Sequence, residues 1–176
     1  GVNLHVLVTG GAGFIGSQLV RRLIERGDRV TVLDNFDPYY SVAKKRENLK
    51  GLSVRLIEGD IRDPEAVREA LIGVDLVAHL AAKAGVRNSI ERPAEYIDNN
   101  VVGTQVLIEG MVSAGVKRAV YASSSSIYGA RTDGPFAETD CVDNPVSPYA
   151  ASKLSGELLF RAASNTWGIN VTCLRL

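Results

Sequence analysis

The feature that most constrains this chain is a run of glycines placed directly after a short apolar stretch. Leu4 to Val8 (LHVLV) reads as a buried strand, and Thr9-Gly10-Gly11 ends it in a tight turn. From Phe14 to Arg26 apolar residues fall at Ile15, Leu19, Val20, Leu23 and Ile24, a helical stripe closed by Gly27. Gly10, Gly13 and Gly16 thus lie between a strand and a helix, and Gly11-Ala12-Gly13-Phe14-Ile15-Gly16 also fits the G-x-G-x-x-G spacing. A pyrophosphate approaches the backbone closely only where Cβ atoms are absent, and the free N–H groups and positive end of the following helix then bind its charge. Packing of a helix on a strand also favours glycine, so the spacing gains meaning only with partners elsewhere in the chain.

The alternation continues along the sequence. Val30 to Leu33, Val54 to Ile57, Val74 to Leu80, Arg118 to Ala122 and Val171 to Leu176 read as strands. Pro64 to Leu71, Pro93 to Ala114 and Pro148 to Trp167 read as helices, with a long polar loop after Leu33 and a Ser-, Pro- and Asp-rich loop after Ala122. Strands that are continuous Val/Ile/Leu runs, alternating with helices, predict an α/β fold: a Rossmann-type doubly wound parallel sheet with helices on both faces. Residues 1–176 form one cofactor-binding domain in this reading. The sequence stops at Leu174-Arg175-Leu176, inside an apolar run with no turn after it, so the expectation is a domain incomplete at that end, with its substrate domain absent.

Composition narrows the partners. A chain of 176 residues, 45% hydrophobic and 23% charged, suits one domain with a good core. Lys plus Arg and Asp plus Glu are 20 each, which leaves no basic field for nucleic acid or anionic lipid and points to small molecules. No apolar run approaches the roughly 18 residues of a membrane span, and no signal-peptide pattern opens the sequence, so a cytoplasmic location is expected. Cys141 and Cys173 stand outside any metal or disulfide spacing and are expected to be buried, inert thiols. His5 and His79 are read as structural, and no metal is expected.

Three further features give the glycine turn its partners. Asp34 ends the second strand, where a carboxylate can accept hydrogen bonds from adenosine ribose hydroxyls and repel a 2′-phosphate; this favours NAD over NADP. Lys44, Lys45 and Arg46 in the following loop are either a solvated surface or a feature that keeps NADP possible. Tyr149 and Lys153 stand at i and i+4 near the start of a helix and share a face, and an ammonium beside a phenol lowers the tyrosine pKa toward that of a general base. Ser123 to Ser126 follow the fifth strand at the ligand-binding edge of such sheets, where a hydroxyl can bond a sugar oxygen.

The motifs TGGAGFIG (Thr9 to Gly16), LDNFDPYY (Leu33 to Tyr40), GDIRD (Gly59 to Asp63), HLAAKAGVRNS (His79 to Ser89), NNVVGT (Asn99 to Thr104), YASSSSIYG (Tyr121 to Gly129) and SPYAASK (Ser147 to Lys153) resemble the extended short-chain dehydrogenase/reductase family. Within it the chain is similar to NAD-dependent nucleotide-sugar epimerases and dehydratases, and the DNFDPYY and AGVRNS stretches resemble UDP-glucuronate 4-epimerases. The resemblance implies C4 epimerisation of a UDP-sugar through a 4-keto intermediate, with a sugar dehydrogenase or a non-catalytic NAD-binding module as alternatives. It implies Ser124, Tyr149 and Lys153 as catalytic residues. Cofactor contacts would come from Gly10, Gly13, Phe14, Ile15, Gly16, Asp34, Asn35, Asp60, Ile61, Leu80, Ala81, Ala82 and Asn100, together with Tyr149 and Lys153. Arg87, Ser125 and Ser126 would face the substrate; related 4,6-dehydratases carry an Asp-Glu pair where this chain has Ser125-Ser126, which argues against dehydration. A homodimer is expected of the full-length enzyme, and little activity of the 176 residues alone.

Overall fold

A computed structural model describes residues 3–176; the first two residues of the expected 1–176 unit lie outside the described residues. Six strands, β1 (His5–Thr9), β2 (Arg29–Asp34), β3 (Arg55–Glu58), β4 (Leu76–His79), β5 (Arg118–Ser123) and β6 (Asn170–Arg175), form one sheet in the order β3-β2-β1-β4-β5-β6. Every pairing is parallel, with Thr9 opposite both Leu33 and His79, so the carboxyl ends of the strands share one edge. The order reverses between β1 and β4, and it is at such a reversal that doubly wound sheets open a ligand crevice.

The described residues also form seven α-helices: α1 (Phe14–Glu25), α2 (Val42–Leu49), α3 (Pro64–Ala70), α4 (Val86–Glu91), α5 (Pro93–Tyr96), α6 (Gly103–Ala114) and α7 (Pro148–Trp167). Alternation along each strand feeds two cores. Leu7, Leu33, Val77 and Tyr121 pack with Leu107, Ile108 and Met111 of α6 and Phe160 of α7. Val6, Val8, Val32 and Ala78 face the other way, against Val20 and Leu23 of α1 and Leu49 of α2. Because both faces are buried, β1 and β4 are apolar between their ends, at Val6 to Val8 and Leu76 to Ala78, and each enclosed Val or Leu contributes roughly 1.5–3 kcal/mol.

The helix α7 has the expected bounds. The Ser147 hydroxyl caps it by accepting the Ala150 N–H at 3.0 Å, and Gly168 closes it in a left-handed conformation at φ +69°. Other expectations need correction. The polar loop after β2 contains α2, whose buried side chains are only Lys45 and Leu49, so it carries no apolar stripe to mark it. Residues 86–91 form α4. The long helix expected over Pro93–Ala114 is interrupted by a π-helical stretch, Ile97–Val102, whose wider turn buries Asn99 and Asn100. Ser125–Tyr128 form a short 3-10 turn inside the loop after β5. Cys141 is exposed, because it sits in the irregular part of that loop, and Cys173 on edge strand β6 is half-buried. Among the described residues no helix is long and apolar enough to cross a membrane.

Candidate active site

The glycine turn packs too closely on its neighbours to admit side chains. Gly10 takes φ +70°, and a Cβ there would lie 2.8 Å from the Ala81 nitrogen; one on Gly16 would lie 2.2 Å from the Gly10 carbonyl oxygen. Gly13 caps α1 without any side-chain hydrogen bond, and no acidic residue stands in the first turn. The N–H groups there are left for an anion. Phe14, 82% exposed, and Ile15 stand outward beside them.

Asp34 holds this turn as well as facing it. Its carboxylate accepts the Ala12 N–H at 3.1 Å and the Phe36 N–H at 2.8 Å, while the Asn48 side chain of α2 donates to the Ala12 carbonyl at 2.9 Å. Two carboxylate oxygens offer about four acceptor positions, so capacity remains for ribose hydroxyls. Asn35 donates to Asp60 at 3.3 Å, and the Arg62 guanidinium, bonded to Asp60 at 2.7 and 2.9 Å, holds that carboxyl down to about 2. The Ile61 side chain is buried in the core against Gly103, which leaves its main chain toward the edge of the site.

A polar chain fixes the end of β4. The Thr9 hydroxyl accepts the Leu80 and Ala81 N–H groups at 3.0 and 3.1 Å and donates to His79 Nδ1 at 2.6 Å. His79 Nε2 then donates to the Thr104 hydroxyl at 2.9 Å, which donates to the Asn100 carbonyl at 2.6 Å. Each group has one donor to spend, which sets the tautomer. Burial, with the nearby Lys153 charge, pushes His79 down to about 3. The Asn100 side chain accepts the Lys83 N–H at 2.8 Å and donates to the Lys83 carbonyl at 3.1 Å and the Ser152 hydroxyl at 3.0 Å. The segment of Leu80, Ala81 and Ala82 is thereby tied to both α7 and β1. Thr9, His79, Thr104 and Ser152 were missed as site-building residues, since their signal is spatial.

The three expected catalytic residues lie at the same edge. Ser124 follows β5, and its hydroxyl accepts from Ser126 N–H and Oγ at 3.1 and 2.9 Å; Ser125 begins the same turn. Tyr149 stands in the first turn of α7, its ring edge-on to Tyr96 at 6.3 Å. Lys153 is 3% exposed, one turn along, with its ammonium 4.7 Å from the centre of the Tyr121 ring. Here one expectation is corrected. Burial pushes the Tyr149 phenol above its ordinary value, opposed by the Ser124 hydroxyl, and Lys153 is not among the groups that shift it. The ammonium is stacked on Tyr121, and its own burial lowers it to about 8 against the pull of Glu157. Arg87 is exposed and, among the described residues, makes no ion pair with Glu91 or any other acid. Tyr39 packs its hydroxyl against Gly85, whose Cβ would lie 2.6 Å from it.

A model of the NAD dependent epimerase/dehydratase family matches residues 6–176. The chain is 41% identical over 180 residues to Protein CapI of Staphylococcus aureus, covering 98% of this chain and 53% of that protein. It is 42% identical over 178 residues to UDP-glucuronate 4-epimerase 4 of Arabidopsis thaliana, covering 98% of this chain and 41% of that one. The solved complex of Thermus thermophilus UDP-glucose 4-epimerase with NAD superposes with a TM-score of 0.89 at 39% identity, over 98% of this chain and 54% of that one. The chain therefore spans about half or less of the length of these relatives.

Proposed function

Because this chain belongs to the NAD dependent epimerase/dehydratase family, we propose that it provides the NAD-binding and catalytic half of a UDP-sugar 4-epimerase, with UDP-glucuronate as the favoured substrate. The observation that carries this reading is the placement of Ser124, Tyr149 and Lys153 at the strand edge that also carries the glycine cradle. Relatives named for UDP-glucuronate and UDP-glucose epimerisation support the substrate class.

The turn suits a dinucleotide because α1 leaves its first N–H groups unmet with no acidic residue beside them, while Gly10 and Gly16 let the backbone close tightly against Ala81 and the Gly10 carbonyl. Gly10, Gly13 and Gly16 would hold the pyrophosphate, Asp34, Asn35 and Asp60 the adenosine, and the Leu80–Ala82 segment with Asn100 and Lys153 the nicotinamide side. Bound there, NAD supplies a hydride acceptor and donor for the sugar C4. Tyr149 takes the proton of the C4 hydroxyl as the C4 hydride departs, which leaves a 4-keto sugar. Ser124 donates to that oxygen and orients it. After the ketone presents its other face, Tyr149 returns the proton as the hydride comes back, so no net oxidation results. Lys153, whose ammonium rests on Tyr121 in the cofactor-free protein, would have to turn from that ring to the phenol to support the phenolate during the cycle. Ser125 and Ser126 provide neutral donors toward the sugar where a dehydratase needs acids, and Arg87, unpaired among the described residues, is available for an anionic group.

The 176 residues alone bind cofactor with little turnover in this reading, because anchoring the UDP group during rotation of the ketone requires surface from the remaining length of such relatives. Incubation of the protein in its complete natural form with NAD and UDP-glucuronate, followed by NMR, tests the proposal: the C4 epimer should appear. Accumulation of NADH in step with product would support a dehydrogenase instead.

A further inference from the structure

The ends of β2 and β3 pair in register, Asp34 opposite Glu58. Leu33 and Ile57 point into the core shared with α3 and α6, so Asp34 and Glu58 both turn to the opposite side, where α2 lies. Two acidic residues thus sit side by side on strands that run about 5 Å apart, at the edge assigned to the adenosine ribose. Consecutive residues of α2 hold them. Lys45 Nζ lies 3.6 Å from Asp34 Oδ1, and Arg46 grips Glu58 with both prongs of its guanidinium, one of them at 2.9 Å. The same guanidinium lies over the Phe36 ring, 4.2 Å from its centre, and Phe36 takes an uncommon φ of +52°. Arg46 is therefore fixed by a carboxylate on one side and an aromatic face on the other.

We infer that Glu58, through its hold on Arg46, is a specificity-determining residue that sets the discrimination between NAD and NADP. The inference rests on the reading that this crevice binds a nicotinamide dinucleotide. A 2′-phosphate carries roughly two negative charges and is recognised by the planar fork of an arginine. Lys45 and Arg46 together would suit it, yet each already faces its own carboxylate, so the edge offers the phosphate no net positive charge. Removal of the Glu58 charge frees Arg46 and leaves Asp34 in place for the ribose hydroxyls. The basic run at Lys44 to Arg46 is thus a phosphate site held shut by acids of the sheet.

Calorimetric titration of NAD and NADP into the wild-type protein, Glu58→Gln and the double variant Glu58→Gln/Arg46→Ala tests this. The ratio of NADP to NAD affinity should rise by at least about tenfold in Glu58→Gln, shrink again with added salt, and return to the wild-type ratio in the double variant. An unchanged ratio in Glu58→Gln, loss of NAD binding by that variant, or a gain that survives removal of Arg46 would overturn the inference. A wild-type protein that binds neither dinucleotide would instead overturn the cofactor reading, and this inference with it.

Discussion

The hydroxyl of Ser89 accepts the backbone N–H of Tyr149 at 3.0 Å while donating to the Val86 carbonyl at 2.6 Å, so one fully buried oxygen joins α4 to the first turn of α7. The Tyr149 N–H has no acceptor within its own helix, as is general at helix starts. Ser89→Ala leaves the buried Tyr149 N–H unmet and should cost about 1–3 kcal/mol in urea unfolding. Because the proposed base is positioned by this bond, turnover should fall more than NAD affinity does.

Tyr149→Phe should leave NAD binding within a few-fold of wild type and lower epimerisation by roughly 10² to 10⁴, the usual worth of a general base. Steady-state rates and calorimetry on the same preparation check the two halves. Retention of most of the turnover would assign the base elsewhere.

Lysine and tyrosine titrate in an unusual order in the cofactor-free protein. Burial lowers Lys153 to about 8 and pushes Tyr149 above 10.0, so the ammonium loses its proton before the phenol does. NMR of the lysine side chains should show one resonance titrating near 8, absent in Lys153→Met. Glu157 raises Lys153, so Glu157→Gln should move that resonance lower still. Difference absorbance against Tyr149→Phe should place the phenol above its ordinary range.

His79 couples stability to pH. Its folded value of about 3 lies below the ordinary 6.5, so the unfolded chain binds a proton that the folded chain refuses. Stability is therefore lost as pH falls through the unfolded value, over the window from about 6.5 down to about 3. At pH 5 the loss is about 2 kcal/mol, from about 1.4 kcal/mol per pH unit. His79→Gln should lower stability at pH 7 but flatten this slope, as read from urea midpoints at pH 7 and pH 5.

The sheet and most of its helices were legible because burial on both faces forces continuous apolar strands, as at Leu4 to Val8, and because Ser147 and Gly168 mark the ends of α7. That the glycine turn, Asp34, the serines after β5 and the Tyr149–Lys153 pair gather at one sheet edge was legible for a related reason: each ends or directly follows a strand, or opens a helix, that the apolar pattern marks, while the choice of Ser124 among the serines came from the family resemblance. What stayed hidden was held by tertiary contacts. The helix α2 has almost no apolar face, so Lys45, Arg46 and Asn48 read as loop residues although they grip Asp34, Glu58 and the glycine turn. The direction of the Tyr149 shift was missed because i, i+4 spacing places Lys153 on the same face without saying that Tyr121 takes its ammonium.

In the proposed cycle C4 of a UDP-sugar gives up and regains its own hydrogen as hydride, with Tyr149 moving only the hydroxyl proton. The most direct measurement uses UDP-glucuronate deuterated at C4, incubated with the protein in its complete natural form and NAD, and analysed by NMR and mass spectrometry. The C4 epimer should appear with the deuterium retained at C4, with no NADH accumulating and no label washed into water. Loss of the deuterium to solvent, or a ketone with stoichiometric reduced cofactor in place of the epimer, would contradict the proposed cycle.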